Sequence, residues 1–160
     1  MSKRLVHEMT YDAPAERVMA MLADQAFREE VCDYQRVLRR TVTVEPTASG
    51  MDVVIDQFQS VQGLPSFATK IVGDEAHIVQ RESWTGTRAD IEVTIPGKPG
   101  EMKGTAVVVE SGGTTTETVD LTIKVGIPLV GGKVASAAEP YVGKALSLQS
   151  READAWIASH

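Results

Sequence analysis

A single cysteine, Cys32, among 160 residues excludes an internal disulfide framework and fits a reducing cytoplasm. No apolar run approaches the roughly 20 residues that a membrane-spanning helix needs, so no integral membrane association is expected. The first ten residues, MSKRLVHEMT, carry charges but no apolar signal core. Lys and Arg total 16 against 22 Asp and Glu, giving a net charge of −6. The cationic stripe that neutralises phosphates is absent, which argues against nucleic acid as a partner. His7, His77 and His160 have no second His or Cys at ligand spacing, and neither H-E-x-x-H nor C-x-x-C occurs. No metal or other cofactor is expected on those grounds. A G-x-S-x-G elbow is also missing, and Gly97-Lys98-Pro99-Gly100 and Gly131-Gly132-Lys133 lack phosphate-loop spacing. Both read as turns.

What is present fits one soluble domain over residues 1–160, with 42% apolar and 24% charged residues. Residues 3–11 alternate, with Leu5, His7, Met9 and Tyr11 on one face, and read as a strand. Asp12-Ala13-Pro14-Ala15-Glu16 reads as a helix start, with Asp12 as the cap and Pro14 in the first turn. A short helix runs to about Ala23. Asp24 caps a second carrying Phe27, Val31 and Tyr34.

Six further β segments follow: 40–45, 51–61, 75–84, 87–95, 102–110 and 114–125, with a short helix at 66–72. Val119, Leu121, Ile123 and Val125 alternate with Asp120, Thr122 and Lys124, as expected of an antiparallel sheet buried on one face. The threonines Thr114, Thr115, Thr116 and Thr118 read as strand formers with a solvated face. From Val130 to Ile157 the spacing of Val134, Ala138, Tyr141, Val142, Ala145, Leu148, Ala153 and Trp156 predicts one long helix, with Pro140 inside it. Its length would be roughly 40 Å.

This order predicts an α+β helix-grip fold: a curved antiparallel sheet of about seven strands wrapped around a long C-terminal helix, with two short helices after the first strand. The order, with residues Tyr11 to Val18 at the strand-to-helix junction, resembles the START-like (SRPBCC) superfamily. Trp84, residues 99–104 and Ile127-Pro128-Leu129-Val130-Gly131-Gly132-Lys133 are similar to the pattern of an uncharacterised bacterial domain family within it. The resemblance implies a mostly apolar cavity between sheet and C-terminal helix. It is weak for activity, since one fold hosts many functions.

Candidate ligand-binding residues are therefore the polar and aromatic ones that the cavity would reach. Gln57 and Gln59 share a face with Val53 and Ile55, and Gln80 and Glu82 share one with Ile78 and Trp84. Turned inward, Glu82 would be desolvated and its pKa raised, as acid–base work requires. Turned outward, it would lie in water beside Arg81 or Arg88. A one-residue register change decides between the two. Phe67, Trp84 and Tyr141, with Tyr34 and Phe58, are candidates for the apolar wall. Arg36, Arg39 and Arg40 read as a solvated basic edge and Cys32 as a packed thiol.

The expected partner is a small apolar or amphipathic molecule, lipid- or polyketide-like, held by a monomer or homodimer. The missing nucleophile, metal site and phosphate loop place binding ahead of a cyclase- or hydrolase-like enzyme, and no catalytic residue is assigned. A protein-interaction module with a filled cavity ranks third.

Overall fold

The computed structural model describes residues 2–160. The chain opens with strand β1 (Ser2–Tyr11) and helices α1 (Ala15–Leu22) and α2 (Gln25–Tyr34). Strands β2 (Arg39–Pro46) and β3 (Gly50–Ser60) precede helix α3 (Ser66–Val72). Strands β4 (Glu75–Thr85), β5 (Arg88–Thr94), β6 (Gly100–Ser111) and β7 (Thr114–Val125) lead to helix α4 (Gly131–Ser159). The strands form one seven-stranded sheet in the order β1-β7-β6-β5-β4-β3-β2, antiparallel throughout. This is the helix-grip arrangement. Because β1 and β2 lie at opposite edges, α1 and α2 span the sheet and close one end of the space beneath α4.

Register sets which side chains meet. One row across the inner face runs Met51, Trp84, Ala89, Ala106, Val119; the next runs Val53, Glu82, Ile91, Gly104, Leu121. A third runs Ile55, Gln80, Val93, Met102, Ile123. Each row alternates with residues that face outward, as the two-residue period of a strand requires. Gly104 allows the middle row to close, because a Cβ there would lie 1.8 Å from the Asp120 carbonyl oxygen. Gly131 acts similarly where α4 begins: a Cβ would stand 2.4 Å from the Val125 carbonyl oxygen. The glycine at the helix entry thus seats α4 directly on the end of β7.

Two local expectations change. Asp12 does not cap α1. Pro14 occupies the cap position with no side-chain cap bond, and the free Ala15 N–H instead donates to Glu110 Oε1 at 2.6 Å. Asp24 does cap α2, its carboxylate accepting from the Ala26 N–H at 2.9 Å. Thr115, placed with its neighbours on a solvated face, is fully buried and donates to the Ala13 carbonyl at 2.6 Å. It is in phase with Val119 and Leu121, and period outweighs residue type here.

The two halves of α4 are held differently. Ala153 and Trp156 belong to the main core, where the Trp156 ring meets Phe27 edge-on at 5.5 Å. Arg17 on α1 also donates to the Ile157 carbonyl. Ala135, in the first half, joins a small separate cluster with Ile123 and Val125. Helix α4 continues through Pro140 without a break.

Charge fixes α2 to the sheet. The Arg28 guanidinium forms two parallel bonds with the Glu82 carboxylate, each 2.9 Å, while Arg28 Nε donates to the Leu22 carbonyl at 2.8 Å. The two side chains are 3% and 5% exposed, so the pair is enclosed. Trp84 Nε1 donates to Glu82 Oε1 at 2.8 Å and Gln80 Nε2 to Oε2 at 2.6 Å. Burial alone would raise the Glu82 pKa, but the Arg28 charge and these donors outweigh it and hold the carboxyl below its ordinary range. Glu82 does face inward, yet it stays ionised, contrary to the raised pKa expected from desolvation. A lowered pKa makes this contribution to stability complete above the ordinary carboxylate range and lost as pH falls through the folded-state value.

Breaking the pair strands a buried cation. Glu82→Gln is expected to cost about 3–5 kcal/mol in urea unfolding. A double replacement, Arg28→Met with Glu82→Leu, should restore most of that. A loss below about 1 kcal/mol in Glu82→Gln, the scale of an exposed pair, would show that α2 is held by something else.

Candidate functional site

Between the inner face of the sheet and α4 lies a cavity of about 330 Å³. Ile91, Val93, Val119, Leu121 and Ile123 form its floor, and Val142 and Leu146 of α4 its roof. Small residues Ala137, Ala138 and Ala145 on the same helix leave the space unfilled. Pro65, Ala68 and Ile71 close one side. Gln62, Lys98 and Tyr141 line the cavity and are also exposed, which marks its mouth. Tyr141 donates its hydroxyl to the Gly63 carbonyl at 2.6 Å, and the Lys133 ammonium lies 4.6 Å above the Phe67 ring. Both contacts tie the α3 region to α4 beside that mouth.

Gln57, Gln59, Gln80, Glu82 and Tyr141 all line the cavity. Gln59 Nε2 donates to Gln57 Oε1 at 3.1 Å. Trp84 is 2% exposed and lies behind the cavity wall, where it supports Glu82. Phe67 on α3 is half-buried against Lys133 of α4 and is not part of the lining. Tyr34 is 43% exposed, and Phe58 turns outward to stack on His77 at 4.3 Å with Arg39 on its ring. Two residues of the basic edge are paired, Arg39 with Glu75 and Arg40 with Asp33 and Glu29, while Arg36 is exposed. Burial pushes the Cys32 thiol up to about 11, so it remains an unreactive thiol near neutrality.

Sequence reasoning missed the most unusual group in the cavity wall. Glu117 on β7 is 4% exposed, lines the cavity, and accepts a hydrogen bond from the Tyr11 hydroxyl at 2.9 Å. Burial raises its pKa to about 7; the nearby Glu82 charge adds to the rise, while the Tyr11 bond and the Arg28 charge oppose it. Tyr11 itself is driven far above its ordinary value, first by burial and then by Glu117, so its hydroxyl keeps its proton and always donates. The signal was available: Glu117 stands two residues before Val119 and shares the face of Leu121 and Ile123. Arg28 was equally legible, four residues before buried Cys32 on α2.

The raised Glu117 pKa has a definite effect on stability. Between its ordinary value of 4.5 and about 7 the unfolded chain ionises here while the folded chain resists. Stability is therefore lost as pH rises through that window, by roughly 3 kcal/mol at most. The Glu82 contribution changes at lower pH, and Glu152, raised by burial and by Glu30, is separated from Glu117 by comparing the wild type with Glu117→Gln from pH 5 to 7.5. Glu117→Gln should flatten the profile. A wild-type profile already flat there would contradict the raised pKa.

The chain is similar in sequence or in fold to several known proteins. An uncharacterized protein of Mycobacterium tuberculosis is 27% identical over 118 residues, covering 69% of this chain and 67% of that protein. Among solved structures, TTHA0849 from Thermus thermophilus superposes with a TM-score of 0.68 at 20% identity, covering 99% of this chain and 100% of that one. Truncated norcoclaurine synthase from Thalictrum flavum gives 0.63 at 13% identity, covering 100% and 96%. A START superfamily protein from Mycobacterium smegmatis gives 0.60 at 13% identity, covering 98% and 97%. At these identities the likeness is one of fold. The family model described as "Protein of unknown function (DUF2505)" matches residues 6–157, and the chain accordingly belongs to that family, on the START-like fold.

Proposed function

We propose that this protein binds or carries a small apolar or amphipathic molecule in the space between its sheet and α4. The observation that carries this reading is the cavity itself: about 330 Å³, with apolar walls and a few polar groups at its inner end. Such a volume lies at the small end of the range for sites that hold drug-sized molecules. The START-like fold commonly serves small-ligand binding, which supports the same reading. Among the described residues no helix is long and apolar enough to cross a membrane. A binder of this kind works by removing apolar surface from water, at about 25 cal/mol per Å² buried.

A second reading is favoured by one observation. Glu117, with its pKa raised to about 7 in an apolar wall, has the property wanted of a general acid or base. Under that reading the cavity is an active site of cyclase or hydrolase type, and Glu117 takes the role first considered for Glu82. An interaction module has less support, because it calls for a filled cavity.

The test is native mass spectrometry of the purified protein with identification of whatever dissociates, paired with thermal unfolding against a panel of apolar molecules. A ligand at a hundred times its Kd adds about 2.7 kcal/mol. For a chain of this size that raises Tm by roughly 5–10 °C. Ala138→Trp, which sets a large ring into the cavity roof, should fold and lose that stabilisation. Equal stabilisation of the folded Ala138→Trp variant would place binding elsewhere.

A further inference from the structure

We infer that the cavity selects ligands that carry a cationic nitrogen on an apolar body, with the nitrogen held against the Glu117 carboxylate. The inference rests on the cavity-binding reading and sharpens it. It starts from the hydrogen-bond account of the inner end. All four bonds to Glu82 come from inside the protein: two from Arg28, one from Trp84 and one from Gln80. Arg28 Nε donates to the Leu22 carbonyl. Tyr11 donates to Glu117 Oε1. Among the described residues no donor meets Glu117 Oε2, and no buried side-chain oxygen or nitrogen there is both sealed and unpaired. Oε2 is therefore open to the cavity that Glu117 lines. What the inner end offers a ligand at this point is an acceptor.

Charge decides which donor fits best. The groups that face Glu117 are Arg28 from α2, Glu82 from β4 and Tyr11 from β1, with Asp154 of α4 acting on Tyr11. Arg28 and Glu82 cancel, so an ionised Glu117 leaves the enclosure one positive charge short. Lys98, the cationic side chain in the main cavity lining, is exposed at the mouth. A ligand ammonium supplies the missing charge through a charge-assisted hydrogen bond, stronger than one from a hydroxyl. A ligand carboxylate at this point would meet the like charges of Glu117 and Glu82 and is disfavoured. Without a cation, burial keeps Glu117 largely protonated up to about pH 7. Cation binding below that pH must then expel the Glu117 proton. Its affinity should rise about tenfold per pH unit below 7 and level off above it.

The test uses octylamine, octanol and octanoate with the full chain, titrated calorimetrically at pH 5.5, 6.5 and 7.5. Octylamine should bind at least tenfold tighter than octanol at pH 7.5, octanoate weakest, and the amine's affinity should drop as pH is lowered from 7.5 to 5.5 while that of octanol holds. Glu117→Gln should erase both the preference and the pH dependence. Octanol equal to octylamine in the wild type, or an amine affinity that ignores pH, overturns the inference and leaves the cavity-binding reading intact. Retention of the amine preference in Glu117→Gln overturns it as well. Should that variant fail to fold, the wild-type pH series still decides. No binding by any of the three, and no stabilisation by the wider apolar panel, removes both readings together.

Discussion

A guanidinium cannot remain charged out of water without a partner, and Arg28 is charged and enclosed. Its pairing with Glu82 is therefore less an added bond than a condition that the fold must meet. To meet it, α2 must lie across the sheet at the height of the Glu82 row, and α1 must end where the Leu22 carbonyl can receive Arg28 Nε. Trp84 and Gln80, two residues to either side on β4, are committed to the same carboxylate. A continuous apolar core would be at least as stable for the same volume. What the charged cluster adds is direction: it fixes which helix closes the sheet and at which register.

The same cluster gives the cavity its chemical asymmetry. Towards the mouth the contacts are sparse and peripheral: a tyrosine hydroxyl on a loop carbonyl and a lysine over a phenyl ring. Towards the inner end, two carboxylates and an arginine are packed into an apolar surround. One carboxylate is saturated with donors and held ionised. The other has a single donor and a pKa near neutrality. Neighbouring groups of identical type thus have opposite properties because of their partners, a pattern that environment alone produces.

Much of this fold was legible from residue order. Strict alternation in β5 and β7 identified strands and their buried face, and the apolar stripe with small residues identified α4. The Pro140 interruption did not mislead, since a single lost hydrogen bond is tolerated in a helix packed along its length. The site was less legible, for two physical reasons. Glu117 stands in a run of threonines, where residue type suggests solvent although the two-residue period places it inside. The partner of Glu82 lies 54 residues away on a helix, and sequence spacing carries no information about a pairing at that range. Local pattern specified the buried faces of β5 and β7; it left those of β3 and β4 open and did not specify which charges meet.

The divided anchoring of α4 separates two tasks along one helix. Trp156 and Ala153 serve the main core, whereas Ala137, Ala138 and Ala145 face empty space. A larger side chain at one of those alanines would reshape the cavity without unpairing a charge or opening the core. Change in the shape of the cavity and retention of the scaffold are therefore open to separate mutations. A lineage built on this chain has room to diversify its cavity by small steps, each still folded, while Arg28 and Glu82 stay fixed.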